Sequence, residues 1–195
     1  MNWSSRKARL IACAFCREHP QLAIGASGLS IALAERFADG LATSHELASA
    51  RFGGRFQPHH AAWAVCWPPG QDDQQMLERA ICWVVGLLQS EAPDYLHLQA
   101  LQAIRRESLE DKILPEIQGP SPLPSLDPGI LSLADQSVRL LARSIYDQSD
   151  FEQMPILADA LEEAGCLDPR VLHHCRSEKY HVRGCWLLDA ILGQD

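Results

Sequence analysis

The last thirty residues of this chain bring together Cys166, His174, Cys175, His181 and Cys185, a density of sulfur and imidazole found nowhere else in it. Thiolate and imidazole together suit zinc, which takes four such donors in a tetrahedron. His181 and Cys185 stand four residues apart, a spacing that puts two side chains on one face of a helix. Cys175 lies just before the turn leading to them, with His174 as its alternative, and Cys166 ends the preceding helix. The spacing therefore nominates Cys166, Cys175, His181 and Cys185 as metal ligands. Four would close a structural zinc site, whereas three would leave a position for an activated water. The same residues also fit simple packing, because free cysteine is among the most buried residue types. Cys185 beside Trp186 suits a core position, and the spacing matches no compact finger or ribbon.

Cys13 and Cys16 form a C-x-x-C and supply additional thiols. A thioredoxin-like pair would open a helix after a strand, and no strand precedes this one. A c-type haem site needs His directly after the second Cys, where Arg17 stands. His59, His60, Trp63, Cys66, Trp67, Cys82 and Trp83 form a second concentration, which reads as an aromatic core or an aromatic-lined pocket. Glu35 with Asp39, and Asp159 with Glu162 or Glu163, are helical neighbours of the kind that mark a solvated face. The metalloprotease H-E-x-x-H, the P-loop, the dinucleotide G-x-G-x-x-G and the nucleophile elbow are absent. No catalytic residue is assigned, and the expectation leans away from an enzyme.

The elements that must position these side chains read as helices almost throughout, with no alternation of period two. Ser4 or Ser5 caps a first helix ending near His19, and a second begins near Ser27 with Leu29, Leu33 and Phe37 along it and Gly40 as its stop. Thr43 to Glu46 is a capping box. Gly53-Gly54 breaks the chain, and a segment near His59 to Trp67 ends at Pro68-Pro69-Gly70. Met76, Leu77, Ala80, Ile81, Val84, Leu87 and Leu88 form an apolar helical stripe, followed by a long helix from Pro93 towards Ile113. Five prolines between Pro115 and Pro128 predict an extended connector, since neither helix nor central strand tolerates that density. Helix resumes near Leu131. Pro155 opens another with a stripe of Ile156, Leu157, Ala160, Leu161 and Ala164, and Gly165 ends it. Asp168-Pro169 caps a short helix through Cys175, and a last one spans about His181 to Leu192. The expected fold is an all-α, compact bundle of about eight to nine helices. It comprises an N-terminal helical subdomain over 1–114, the Pro-rich connector over 115–129 and a C-terminal helical subdomain over 130–195.

The 195 residues are 47% hydrophobic and 22% charged, enough apolar matter for one sizeable core or two small ones. A net charge of −8 argues against a non-specific nucleic-acid binder, which neutralises phosphates with Lys and Arg. No apolar run approaches the length of a membrane span. Leu10-Ile11-Ala12-Cys13 looks like a lipoprotein cleavage box, but Arg9 before it leaves no room for the apolar region an export signal needs. Seven cysteines, an odd number, read as reduced thiols in a cytosol.

The segment Ser5-Arg6-Lys7-Ala8-Arg9-Leu10-Ile11-Ala12-Cys13-Ala14-Phe15-Cys16-Arg17 and the stretch Ala34 to Thr43 resemble the start of a family of uncharacterised bacterial proteins abundant in planctomycetes. The ending resembles the same family through Pro155 to Cys166, His174-Cys175-Arg176 and His181-Val182-Arg183-Gly184-Cys185-Trp186. The likeness covers roughly the first fifty and last sixty-five residues, and members often carry a further cysteine where Phe15 stands here. It implies that both ends belong to one design and brings no activity with it. Two functions then stand as expectations. The first is a cytosolic helical module that binds a protein partner. The second is a zinc-binding or thiol-redox protein using the C-terminal Cys/His cluster.

Overall fold

A computed structural model of the chain describes residues 4–19, 25–52, 65–66, 105–126, 129–130, 137–177 and 180–194. Every regular element among them is a helix, as the apolar spacing predicts. The expected helices between Asp72 and Leu88 and from Pro93 to residue 104, and the His59–Trp83 concentration except Cys66, lie outside the described residues. The chain divides into two units, Met1–Ile113 and Leu114–Asp195.

The first unit contains α1 (Ser5–Arg17), α2 (Gly25–Ala38), α3 (Ser44–Phe52) and a π-helical stretch, Arg105–Ile113. The Ser4 hydroxyl accepts from the Lys7 amide and starts α1. Ala8 to Cys16 are buried without a break, so α1 is the core helix of this unit. Its partner α2 does not turn the expected Leu29–Leu33–Phe37 line inward, and Leu29 is 74% exposed. The buried face is Ser27, Ser30, Ile31, Ala34 and Glu35 instead. Small side chains there admit α1 closely, and Glu35 is carried inward by two hydrogen bonds from Arg17, at 2.5 and 2.7 Å. The capping box of α3 is present: the Thr43 amide donates to Glu46, and the Glu46 amide donates back to the Thr43 hydroxyl.

The second unit holds α4 (Leu114–Gln118), α5 (Ser137–Gln148), a 3₁₀ turn at Phe151–Gln153, α6 (Met154–Glu163), α7 (Pro169–Arg176) and α8 (Trp186–Leu192). The proline-rich connector is thus helical at its start. Pro115 is the second residue of α4, which follows the π-helical stretch without a break. Gly119, at φ +72°, stops that helix. In α6 the buried positions are Met154, Leu157, Ala158 and Leu161, and Ile156 of the expected stripe is 56% exposed. Gly165 at φ +92° ends α6, and the Asp168 carboxylate caps α7 by accepting from the Arg170 amide. Val138, Ile145, Leu157, Leu161, Val171, Leu187, Leu188 and Ile191 build one core with Cys166, Cys175 and Cys185. Arg139 reaches from α5 to the Ile191 carbonyl of α8 at 3.4 Å.

Candidate metal centre

The final helix is shorter than its spacing predicts, and the difference builds a site. α8 begins at Trp186, so His181 and Cys185 do not meet as helical neighbours. Gly184 at φ +89° turns the chain, and the Cys185 amide closes that turn on the Val182 carbonyl at 3.0 Å. The Arg183 guanidinium lies 4.7 Å from the centre of the Tyr146 ring, which pins the turn against α5. Cys185 is then the N-cap of α8, with His181 brought back beside it.

Two more side chains converge from other segments. His174 comes from the last turn of α7, and its Nε2 lies 3.2 Å from the Cys185 Sγ. Glu116 comes from α4, and its Oε1 is 2.8 Å from the His181 Nδ1, 65 residues on in sequence, and 3.6 Å from the His174 Nε2. One donor atom from each of Glu116, His174, His181 and Cys185 lies within 4.8 Å of all the others. Donors of a tetrahedral site with bonds of about 2.0–2.3 Å stand about 3.3–3.7 Å apart, so small side-chain adjustments bring this set to bonding geometry. The side chains of Glu116 and His181 are each 4% exposed.

Of the residues nominated by sequence, His181, Cys185 and the alternative His174 belong to this group. Cys166 and Cys175 do not. Both are buried in the core of the same unit, and Cys175 also lines a cleft of about 280 Å³ beside His181, with Phe151, Met154 and Pro155. Cys13 and Cys16 are buried in the first unit on α1, where the Cys13 thiol faces the Ile31 carbonyl at 3.9 Å. Glu116 was missed because it sits in the segment read as extended. Its one local signal is position, a carboxylate between Ile113 and Ile117, both fully buried.

Burial, and then the negative charge of Glu116, pushes the Cys185 thiol well above its ordinary range, while the amides of Leu188 and Leu187 pull the other way. Burial and the neighbouring Cys166 and Glu116 push Cys175 up to about 12. Neither thiol is a ready nucleophile, since the thiolate is the reactive form. Nor do the donors form a relay. In a nucleophile–histidine–carboxylate triad the two outer groups address opposite ring nitrogens. Here Cys185 and Glu116 both approach Nε2 of His174. The donors point at one another rather than along a line.

The aromatic surroundings hold these rings in place. His174 packs edge-on to His181, with centroids 5.0 Å apart, and tilts against Trp186 at 4.9 Å. Phe151 lies 6.4 Å from His181 on the side of the cleft. No family model matches the sequence, and neither the curated proteins nor the solved structures contain a match to it.

Proposed function

We propose that this is a zinc-binding helical protein, with one ion held by Glu116, His174, His181 and Cys185 in a structural site of the second unit. The observation that carries the reading is the convergence of four donors, three buried and His174 half-buried, from three separate stretches of chain, within 4.8 Å of one another. Charge supports it. One carboxylate and one thiolate balance a divalent cation, so the filled site is neutral, which a buried site needs. Donor chemistry supports it as well. A thiolate with two imidazoles favours zinc over magnesium or calcium, which prefer all-oxygen shells. Four protein donors complete a tetrahedron and leave no position for water, as in structural rather than catalytic zinc sites. The partner-binding expectation has no comparable convergence behind it. The large exposed apolar side chains of the second unit, such as Leu140, Ile156 and Leu167, come from different elements, and single exposures of that kind are ordinary.

The test is the metal content of the untagged protein by elemental mass spectrometry, with thiols counted before and after chelation. The expected result is about one zinc per chain, with the Cys185 thiol reactive only once the metal is removed. Cys185→Ser is expected to weaken zinc binding by at least about 10–100-fold. With cobalt in place of zinc, the wild-type protein should show tetrahedral visible bands and the charge-transfer band of a single thiolate. A protein that takes up no metal, and whose thiols react only on unfolding, would remove the reading.

A further inference from the structure

The cleft beside the candidate metal centre, about 280 Å³, has Phe151, Met154, Pro155 and Cys175 as its apolar lining, and Glu152 and Arg176 also border it. The ring of His181 forms part of its wall. That ring turns Nδ1 towards the Glu116 Oε1, 2.8 Å away. The two nitrogens of an imidazole point outward in different directions, so Nε2 leads away from the other donors. Nε2 is buried with no hydrogen-bond partner among the described residues, and the side chain that carries it is 4% exposed. A buried polar atom left unmatched is uncommon and costly. A histidine that binds a metal through one nitrogen almost always gives the N–H of the other to an acceptor. The Ser177 hydroxyl, also in the wall, is engaged with the His174 carbonyl at 2.8 Å. Charge around the cleft narrows what could supply the acceptor. Arg176 is held by Asp159 at 2.7 Å and Glu162 at 2.6 Å, and Glu152 is exposed at the edge. Three carboxylates stand against one guanidinium, which disfavours an anion. The volume lies just below the range of about 300–1,000 Å³ usual for drug-sized ligands, so the occupant is small.

Resting on the zinc reading above, we infer that this cleft is a binding site for a small uncharged molecule with an apolar body and a carbonyl oxygen, and that the oxygen accepts a hydrogen bond from the Nε2–H of His181. Zinc on Nδ1 leaves the ring's one proton on Nε2, which makes that atom a donor. Without metal the Glu116 carboxylate, which has no proton to give, takes the bond from Nδ1–H, and Nε2 of the neutral ring is a lone pair that repels a carbonyl oxygen. Phe151, with its ring 6.4 Å from that of His181, sets the apolar body beside the donor. Nε2 lies just within the wall, and a small side-chain adjustment admits the oxygen, of a kind common on binding. The metal thus decides whether the cleft meets its ligand with a donor or an acceptor, and by linkage each ligand strengthens the other.

Three probes of similar shape test the site on the full, zinc-loaded chain: acetophenone, ethylbenzene, which lacks the oxygen, and benzoate, which adds a charge. Each is titrated into isotope-labelled protein and followed by NMR. Acetophenone is expected to shift amides around the cleft and to move one imidazole N–H proton downfield, with cross-relaxation between that proton and the probe. Ethylbenzene should leave the imidazole proton where it is, and benzoate should bind more weakly than acetophenone. Competition against a chelator should show zinc held about two- to tenfold more tightly with acetophenone than with ethylbenzene in the cleft, the worth of one neutral hydrogen bond. Phe151→Ala, which removes no metal donor, should keep its zinc and lose the acetophenone response. If zinc binds but no probe moves the imidazole proton, the cleft reading is wrong and the metal site stands. Equal tightening by ethylbenzene, tighter binding of benzoate, or an acetophenone response that survives Phe151→Ala would each overturn it as well. If no zinc binds, both readings fall together.

Discussion

At the scale of single residues, the centre turns on one proton. In the metal-free protein the Cys185 thiol is protonated, because burial and the Glu116 charge both hold its pKa well above the ordinary 9.0. A zinc ligand must be thiolate, so binding expels that proton at any pH below the raised value. The sign follows. Raising the pH removes a competitor for the sulfur, and apparent zinc affinity climbs about tenfold per pH unit for each proton displaced, across about pH 6 to 8. Competition titrations against a chelator of known protonation should show that slope, and an indicator dye in weak buffer should register release of at least about one proton per zinc. In Cys185→Ser the release should fall by about one. A flat profile would mean that sulfur is not a ligand. Cys175 is pushed up to about 12 by burial, with Cys166 and Glu116 adding to it, and it takes no part in this exchange.

At the scale of elements, what matters is how closely one backbone lies on another. Gly119 ends α4 at φ +72°, and its missing Cβ leaves room for Trp186 and Leu123, each with an atom 2.6 Å from where that carbon would sit. Gly119→Ala meets both penalties, left-handed backbone and an atom inside the Trp186 ring contact. It should destabilise the docked segment by about 2–4 kcal/mol, seen as a lowered unfolding midpoint with zinc bound and as weaker zinc binding through the displaced Glu116. Unchanged stability would mean that the segment does not press on Trp186. The same region marks where sequence reading runs out. Caps and stops at Ser4, Thr43, Gly165 and Asp168 were legible because each acts through its nearest neighbours in the chain. The length of α8 was not. A four-residue spacing suits a helix, but Gly184 supplies a tight turn that brings His181 and Cys185 together without one. Glu116 had no local signature beyond its place between Ile113 and Ile117, since its partners lie 58 and 65 residues away. The buried face of α2 was misread for a related reason. Periodicity ranks residues by hydrophobicity, whereas close packing against α1 selected Ser27, Ser30 and Ala34 for size.

At the scale of the whole molecule, the two units draw on different sources of order. In the first, α1 is buried along nine consecutive residues, and its polar groups are matched by protein partners, Arg17 with Glu35 and Arg6 with Asp39. Its order comes from packing. The second has a core as well, but α4 and the turn before α8 meet through Glu116, His174, His181 and Cys185, so on the zinc reading part of its order comes from metal binding. A ligand that binds only the folded form stabilises what it binds by mass action, and it leaves untouched any unit that unfolds independently of it. Chelation at neutral pH should therefore speed hydrogen exchange in α5 to α8 and leave the amides of α1 and α2 at their earlier rates. Restoring zinc should reverse the change. Equal losses in both units would mean that they unfold as one cooperative body, so that the metal supports the entire chain. No change in either would mean that the four donors are held by protein contacts alone, as a buried polar network with no ion at its centre.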